Sequence, residues 1–131
     1  KDAIGITRTI LGVNEADGSL VLAGDVPQDG HMQLMHASVD ALVDAAESAA
    51  SAAKSSARPS GDTLALLISC IGRKLVMGAR VDEEVEAVGQ VMGSGTTLTG
   101  FYSNGEISPH HGSFDCKLHN QTMTITYLSE A

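Results

Sequence analysis

Apolar positions along the chain fall into blocks whose internal period changes from one block to the next. Ile4 to Val13 is rich in Ile and Thr and reads as a strand. Asn14-Glu15-Ala16-Asp17-Gly18 is a turn signal, and Leu20 to Ala23 is a second short strand, giving a hairpin. After a second turn at residues 25–30, Met32 and Leu34 alternate with His31, Gln33 and Met35, which predicts a third strand over His31 to His36. The period then becomes helical. Val39, Leu42, Val43, Ala46, Ala49, Ala50 and Ala53 share one face. Ser38 stands where an N-cap belongs, and Asp40 and Asp44 sit in the early turns, so the spacing predicts a helix over Val39 to Lys54. Pro59 and Gly61 mark its end.

Thr63 to Ser69 is continuously apolar, the pattern of a central strand covered on both faces. A short helical piece is expected over Lys74 to Met77, closed by Gly78. Asp82 is expected to cap a second main helix, with Glu83, Glu84 and Glu86 near its start and a buried stripe of Val85, Val88 and Met92. Gly93-Ser94-Gly95 ends it. Thr97 to Tyr102 reads as a strand, Ser103 to Leu118 as irregular, and Thr122 to Leu128 as a last strand with Met123, Ile125 and Tyr127 alternating. The order is β-β-β-α-β-α-β-β. It predicts a mixed α/β fold of α+β character, with about six strands in one mixed sheet and two main helices packed on it.

Composition fits one domain. The 131 residues are 43% hydrophobic with no Trp, so the core must be built from aliphatic side chains and Met. A formal net charge of −8 argues against nucleic acid and against an anionic membrane surface as partners. No apolar run approaches the ~20 residues of a membrane span. No signal peptide is visible, and the chain begins at Lys1. Cys70 and Cys116 are too few for a disulfide framework and read as reduced thiols of a cytoplasmic protein.

Three stretches carry candidate chemistry. Ser69-Cys70-Ile71-Gly72-Arg73 ends the apolar strand, where ligands collect in open α/β sheets. A thiol before a helix start can act as a nucleophile, here with His119 as base, or it can be a small buried hydrophobe. The guanidinium of Arg73 offers a planar fork to a carboxylate or phosphate. Alternatively it forms a structural ion pair with one of the sixteen acids, Glu106 for instance. His110, His111, Cys116 and His119 are metal-capable, but their spacing is not that of a structural zinc site, and a polar loop is the plainer reading, so no metal is assigned. Around Gly100-Phe101-Tyr102-Ser103-Asn104-Gly105-Glu106-Ile107, Phe101 and Tyr102 should point to opposite faces of their strand, and Asn104-Gly105 suits a tight turn.

Cys70-Ile71-Gly72-Arg73, Gly100 to Ile107 and Leu118-His119-Asn120-Gln121-Thr122 occur in the order in which the C-terminal domain of the FIST family carries Cys-x-Gly-Arg, Gly-Phe-Tyr-x-x-Gly-Glu-Ile and His-Asn-Gln-Thr. Ala23-Gly24-Asp25-Val26-Pro27 also resembles that family, so the likeness spans nearly the whole chain. It implies a sensory domain of intracellular signal transduction rather than an enzyme. It also implies a small ligand such as an amino acid, and a partner in the family's N-terminal half or a signalling effector. Residues 1–131 would then be one domain from a longer protein.

The resemblance singles out Cys70, Arg73, Tyr102, Gly105, Glu106, His119, Asn120 and Gln121 as ligand-site residues. Arg73 would receive a carboxylate, Glu106 an ammonium, and Tyr102 or Asn120 would orient by hydrogen bonds. On this reading Arg73 and Glu106 lie near each other at one end of the sheet. Some relatives sense nitric oxide through haem, which would call on His31, His36, His110, His111 or His119 as axial ligand. Protein-interaction modules also occur in the family.

Overall fold

The structure is a computed structural model that describes residues 6–55, 59–109 and 115–130. Its centre is a three-stranded sheet of β3 (Thr63–Cys70), β4 (Thr96–Ser103) and β7 (Met123–Ser129), in the order β4-β3-β7. β3 runs parallel to β4 and antiparallel to β7. The β3–β4 connection carries α2 (Ile71–Met77), a 3-10 turn (Gly78–Arg80) and α3 (Asp82–Met92). A parallel pair needs such a crossover. The sheet is therefore mixed, as the strand-helix-strand pattern predicts.

The expected single sheet of six strands is not formed. β1 (Ile10–Asn14) and β2 (Ser19–Leu22) pair only with each other, as do β5 (Glu106–Pro109) and β6 (Cys116–His119). The irregular segment expected from Ser103 therefore contains a hairpin. The strand expected over His31 to His36 is absent: its alternation finds no pairing partner, and Met32, Leu34 and Met35 are 67%, 81% and 78% exposed. Alternation selects a strand only where another strand supplies the hydrogen bonds.

α1 (Val39–Ser55) forms as its periodicity requires. Ser38 Oγ accepts the Ala41 N–H at 3.1 Å, the N-cap bond. Leu42, Ala46 and Ala50 are its buried face. Ala46, Ala50, Ala65 and Val88 are fully buried, and Leu67 and Met92 complete the cluster where α1 and α3 meet the sheet. Alanines here let the helix lie close to the strands, which compensates in packing for their small transfer free energy. Lys54 Nζ donates to the Val91 and Met92 carbonyls at 2.7 and 3.1 Å, so a cation from α1 satisfies the acceptor end of α3.

Three details of α3 and α2 depart from expectation. The buried face of α3 is Glu84, Ala87, Val88 and Met92, while Val85 is 42% exposed. Asp82 is the first residue of α3 and makes no side-chain cap bond. α2 begins at Ile71, directly after Cys70, earlier than the expected Lys74.

β3 is also less evenly covered than its apolar run suggests. Ala65, Leu67 and Ser69 are buried against the helices, whereas Leu64, Leu66 and Ile68 on the other row are half-buried. Phe101 and Leu128 beside that row are 59% and 53% exposed. No helix among the described residues is long and apolar enough to cross a membrane.

Candidate functional site

The carboxyl end of β3 gathers polar side chains from five separate segments. Along β3, Ser69 faces the helices, and strand register puts Tyr102 of β4 on the same side. The next residue, Cys70, leads straight into α2, whose third residue is Arg73. Glu84 comes from α3. All three helix or strand neighbours of Glu84 reach its carboxylate. Arg73 Nε donates to Oε2 at 2.9 Å, Ser69 Oγ to Oε1 at 3.1 Å, and the Tyr102 hydroxyl to Oε1 at 2.7 Å. Arg73 Nη2 donates to the Leu42 carbonyl of α1 at 2.7 Å. Glu84 is fully buried and Arg73 is 1% exposed.

This network corrects the expected partner of Arg73. Its ion-pair partner is Glu84 and not Glu106, and a ligand carboxylate would have to displace that pair. Tyr102 is held to the network as well. Burial first, and then the bond to Glu84, keeps its phenol titrating above the usual range. The Lys74 ammonium lies 5.0 Å from the centre of the Tyr102 ring, a cation–π distance. Phe101, one residue away, points to the other side of the sheet and is exposed, as the alternation predicts.

Glu106 belongs to a second network on the opposite side. It is 3% exposed. Ser103 Oγ donates to its Oε1 at 2.6 Å and Thr122 Oγ1 to its Oε2 at 2.5 Å. Among the described residues no cationic side chain pairs with it. In the β5–β6 hairpin Glu106 stands directly across from His119, whose Nε2 lies 3.2 Å from the Ser108 carbonyl. His119 and Asn120 are buried.

The third stretch, His119 to Thr122, locks the other two together. The Cys70 N–H donates to the Thr122 carbonyl at 3.0 Å. A Cβ on Gly72 would strike the Gln121 side-chain amide, so in this arrangement the amide lies directly against the α2 backbone. Gln121 itself is held at φ 61°, an uncommon conformation outside glycine. Gly105 has φ 157°, and a Cβ there would lie 2.9 Å from Leu118 and 3.1 Å from the Asn120 amide nitrogen. The N-terminal segment docks on the same place. Thr9 N–H donates to Asn120 Oδ1 at 3.4 Å, and Arg8 Nη1 to the Leu118 carbonyl at 2.8 Å.

Cys70 is 3% exposed, which denies a nucleophile the access it needs. Cys116 is exposed, and His110 and His111 lie outside the described residues. Among the described residues no three His, Cys, Asp or Glu side chains form a metal-sized group. Haem fits poorly with the described imidazoles. His31 and His36 are exposed in a segment without regular structure, and His119 is tied to a carbonyl.

The three stretches thus meet in one structural unit, and the comparison with known families agrees. The model of the FIST C domain matches residues 3–109. This chain belongs to that family. FIST C domains are sensory domains of signal transduction proteins. No curated protein and no solved structure matches the chain. The matched residues include Cys70 to Arg73 and Gly100 to Ile107. His119 to Thr122 lies beyond them, and it is the structure that ties this last stretch to the other two.

Sequence reasoning missed Glu84, Ser69 and Ser103. Glu84 was readable as an acid one turn before Ala87 and Val88 on the stripe that ends at Met92, which is where an acid needs a buried partner.

Proposed function

We propose that this FIST C domain senses a small polar ligand at the carboxyl end of its central sheet and passes the binding event to a signalling partner. The placement of buried polarity carries this reading. Ser69, Arg73, Glu84, Glu106, His119 and Asn120 are the buried polar and charged residues among those described, and they gather at that one end. Buried charges cost stability unless well paired, and apolar replacements often serve stability equally well. Concentrating them where α/β sheets bind ligands favours a ligand-binding role over a purely structural one.

The partner is the family's N-terminal half or a signalling effector, and the setting is the reducing cytoplasm, which suits two free cysteines. For an amino acid, Glu106 is the buried carboxylate without a cationic partner among the described residues, and an ammonium could reach it only if the segments covering it open. The amino acid's own carboxylate has no comparable anchor, because Arg73 is held by Glu84. Thermal unfolding with a panel of amino acids and other small polar molecules tests the reading. The expected result is a rise in Tm that grows with the logarithm of ligand concentration. A panel without any such rise would overturn it.

One observation favours a further contact with a partner protein. Leu11 and Val13 in β1, with Met32, Leu34 and Met35, are each at least 60% exposed. Apolar exposure of that extent in these two segments supports an interaction surface there. Loss of partner capture in a Met32→Ser, Leu34→Ser, Met35→Ser variant that keeps ligand binding would separate the two roles.

A further inference from the structure

A slot of about 260 Å³ lies between α3 and the edge of β4. Gly100 stands in the helix-facing row of β4, between Leu98 and Tyr102, with Leu67 as its register neighbour on β3. A Cβ there would strike the Leu67 carbonyl. Glycine is therefore required where β4 lies against the β3 backbone, beside the slot. Leu67, Leu98, Met123 and Val85 wall the slot with apolar surface, and Ser69, Tyr102 and Glu84 close one end.

The chemistry of that end selects the ligand. The Ser69 and Tyr102 hydroxyl protons are both given to Glu84, so their oxygens face the slot as hydrogen-bond acceptors. Glu84 is already neutralised by Arg73. A carboxylate would meet only acceptors. An ammonium would lose its hydration and gain no uncompensated charge in return. An uncharged N–H or O–H donor meets neither penalty. The walls ask for an apolar body, and a cavity of about 150 Å³ already admits benzene, so there is room for a fused bicyclic ring.

We infer that the slot between α3 and β4 binds a small uncharged aromatic or alicyclic molecule carrying one N–H or O–H donor, of the indole or phenol class, with the donor on the Ser69 and Tyr102 oxygens. The inference rests on the sensory reading above and adds to it a less polar ligand class, on the Glu84 side of the sheet. Binding at this point pushes on Tyr102, Glu84 and Arg73 together, and so on β4, α3, α2 and α1.

Indole is a convenient probe, because the chain has no Trp and indole's own fluorescence reports binding. The experiment titrates the protein into indole and follows fluorescence anisotropy, with indole-3-acetate, tryptamine and free amino acids run in parallel by thermal shift. The expected result is saturable indole binding, weaker binding of the anionic and cationic analogues, and a loss of about five- to tenfold in Tyr102→Phe, the amount one neutral hydrogen bond supplies. Val85→Phe, at a half-exposed position on the slot wall and without an indole chromophore, should abolish binding while circular dichroism stays unchanged. Indole binding that survives Val85→Phe, or tighter binding of the acetate, overturns the slot assignment. If amino acids shift Tm and indole does not, this inference fails and the sensory reading stands. If no compound shifts Tm, both fail.

Discussion

Glu84 and Glu106 are both buried at the carboxyl end of β3, and they are held in opposite ways. Glu84 lies on the helix-covered side and takes a guanidinium, a serine and a tyrosine, with Arg73 extending the network to α1. Glu106 lies on the other side and takes two hydroxyls from Ser103 and Thr122. The first carboxylate is a structural tie whose charge is cancelled in place. The second keeps its charge facing neutral donors, which is the condition under which a ligand's cation adds something. The difference separates two roles that the motif residues alone leave merged, since Arg73, Tyr102 and Glu106 all belong to the family pattern.

The largest expected effect breaks the first network. Arg73→Met leaves Glu84 as an unpaired charge in a fully buried position, and the cost should be about 3–5 kcal/mol. Urea denaturation measures it. Adding Glu84→Leu should recover most of that loss, because a matched apolar pair of similar volume is often no less stable than the ion pair. A cost below about 1 kcal/mol for the single variant would show that the pair is not desolvated as the structure has it.

The second network should yield less. Glu106→Gln keeps an oxygen acceptor and lets one hydroxyl turn to accept from the new amide, so two charge-assisted bonds become neutral ones. The expected loss is about 1–2 kcal/mol. If Glu106 is also the ligand's cationic anchor, the same variant should remove the Tm rise given by amino acids while leaving the indole response intact. Equal stability losses in Arg73→Met and Glu106→Gln would erase the contrast between the two carboxylates.

How far these networks were readable beforehand depends on what each rests upon. Helical period and the Ser38 cap placed α1 within a residue, and the apolar run placed β3, because both are local patterns. The β5–β6 hairpin was not readable: Glu106 to Pro109 and Cys116 to His119 are four-residue strands with little apolar alternation, paired across a long connection. Arg73 and Glu84 are eleven positions apart and joined by a turn between two helices, so their pairing is tertiary. Sequence spacing offered Glu106 an equal claim. The same holds for Gly72 against Gln121, a contact between residues nearly fifty positions apart that no local rule anticipates.

That contact gives a third test, of intermediate size. Gly72→Ala brings a methyl group against the end of the Gln121 side chain, which must swing aside, and should cost about 1 kcal/mol or less. In a Gln121→Gly background the obstructing side chain is gone and the positive φ is relieved, so Gly72→Ala should there cost little. The double-mutant cycle reads the coupling directly. Additive losses would mean that α2 and the His119–Thr122 stretch do not touch as described.

The smallest effect, and the most specific to the Glu84 side, is alkaline. The Tyr102 phenol titrates above its unfolded value of about 10 because burial disfavours the phenolate and Glu84 holds the proton. The folded state therefore binds this proton more tightly than the unfolded chain. The stabilisation is complete below about pH 10 and fades as pH rises through the elevated folded value. Unfolding free energy should decline from about pH 10 upward more steeply in the wild type than in Tyr102→Phe, where the ionisation is absent. Tyrosinate absorbance near 295 nm, followed in the Tyr127→Phe variant, isolates the same group. Ionisation of Tyr102 at an ordinary tyrosine pH would mean that its hydroxyl is not committed to Glu84. The acceptor end of the slot under α3 would then lose its basis as well.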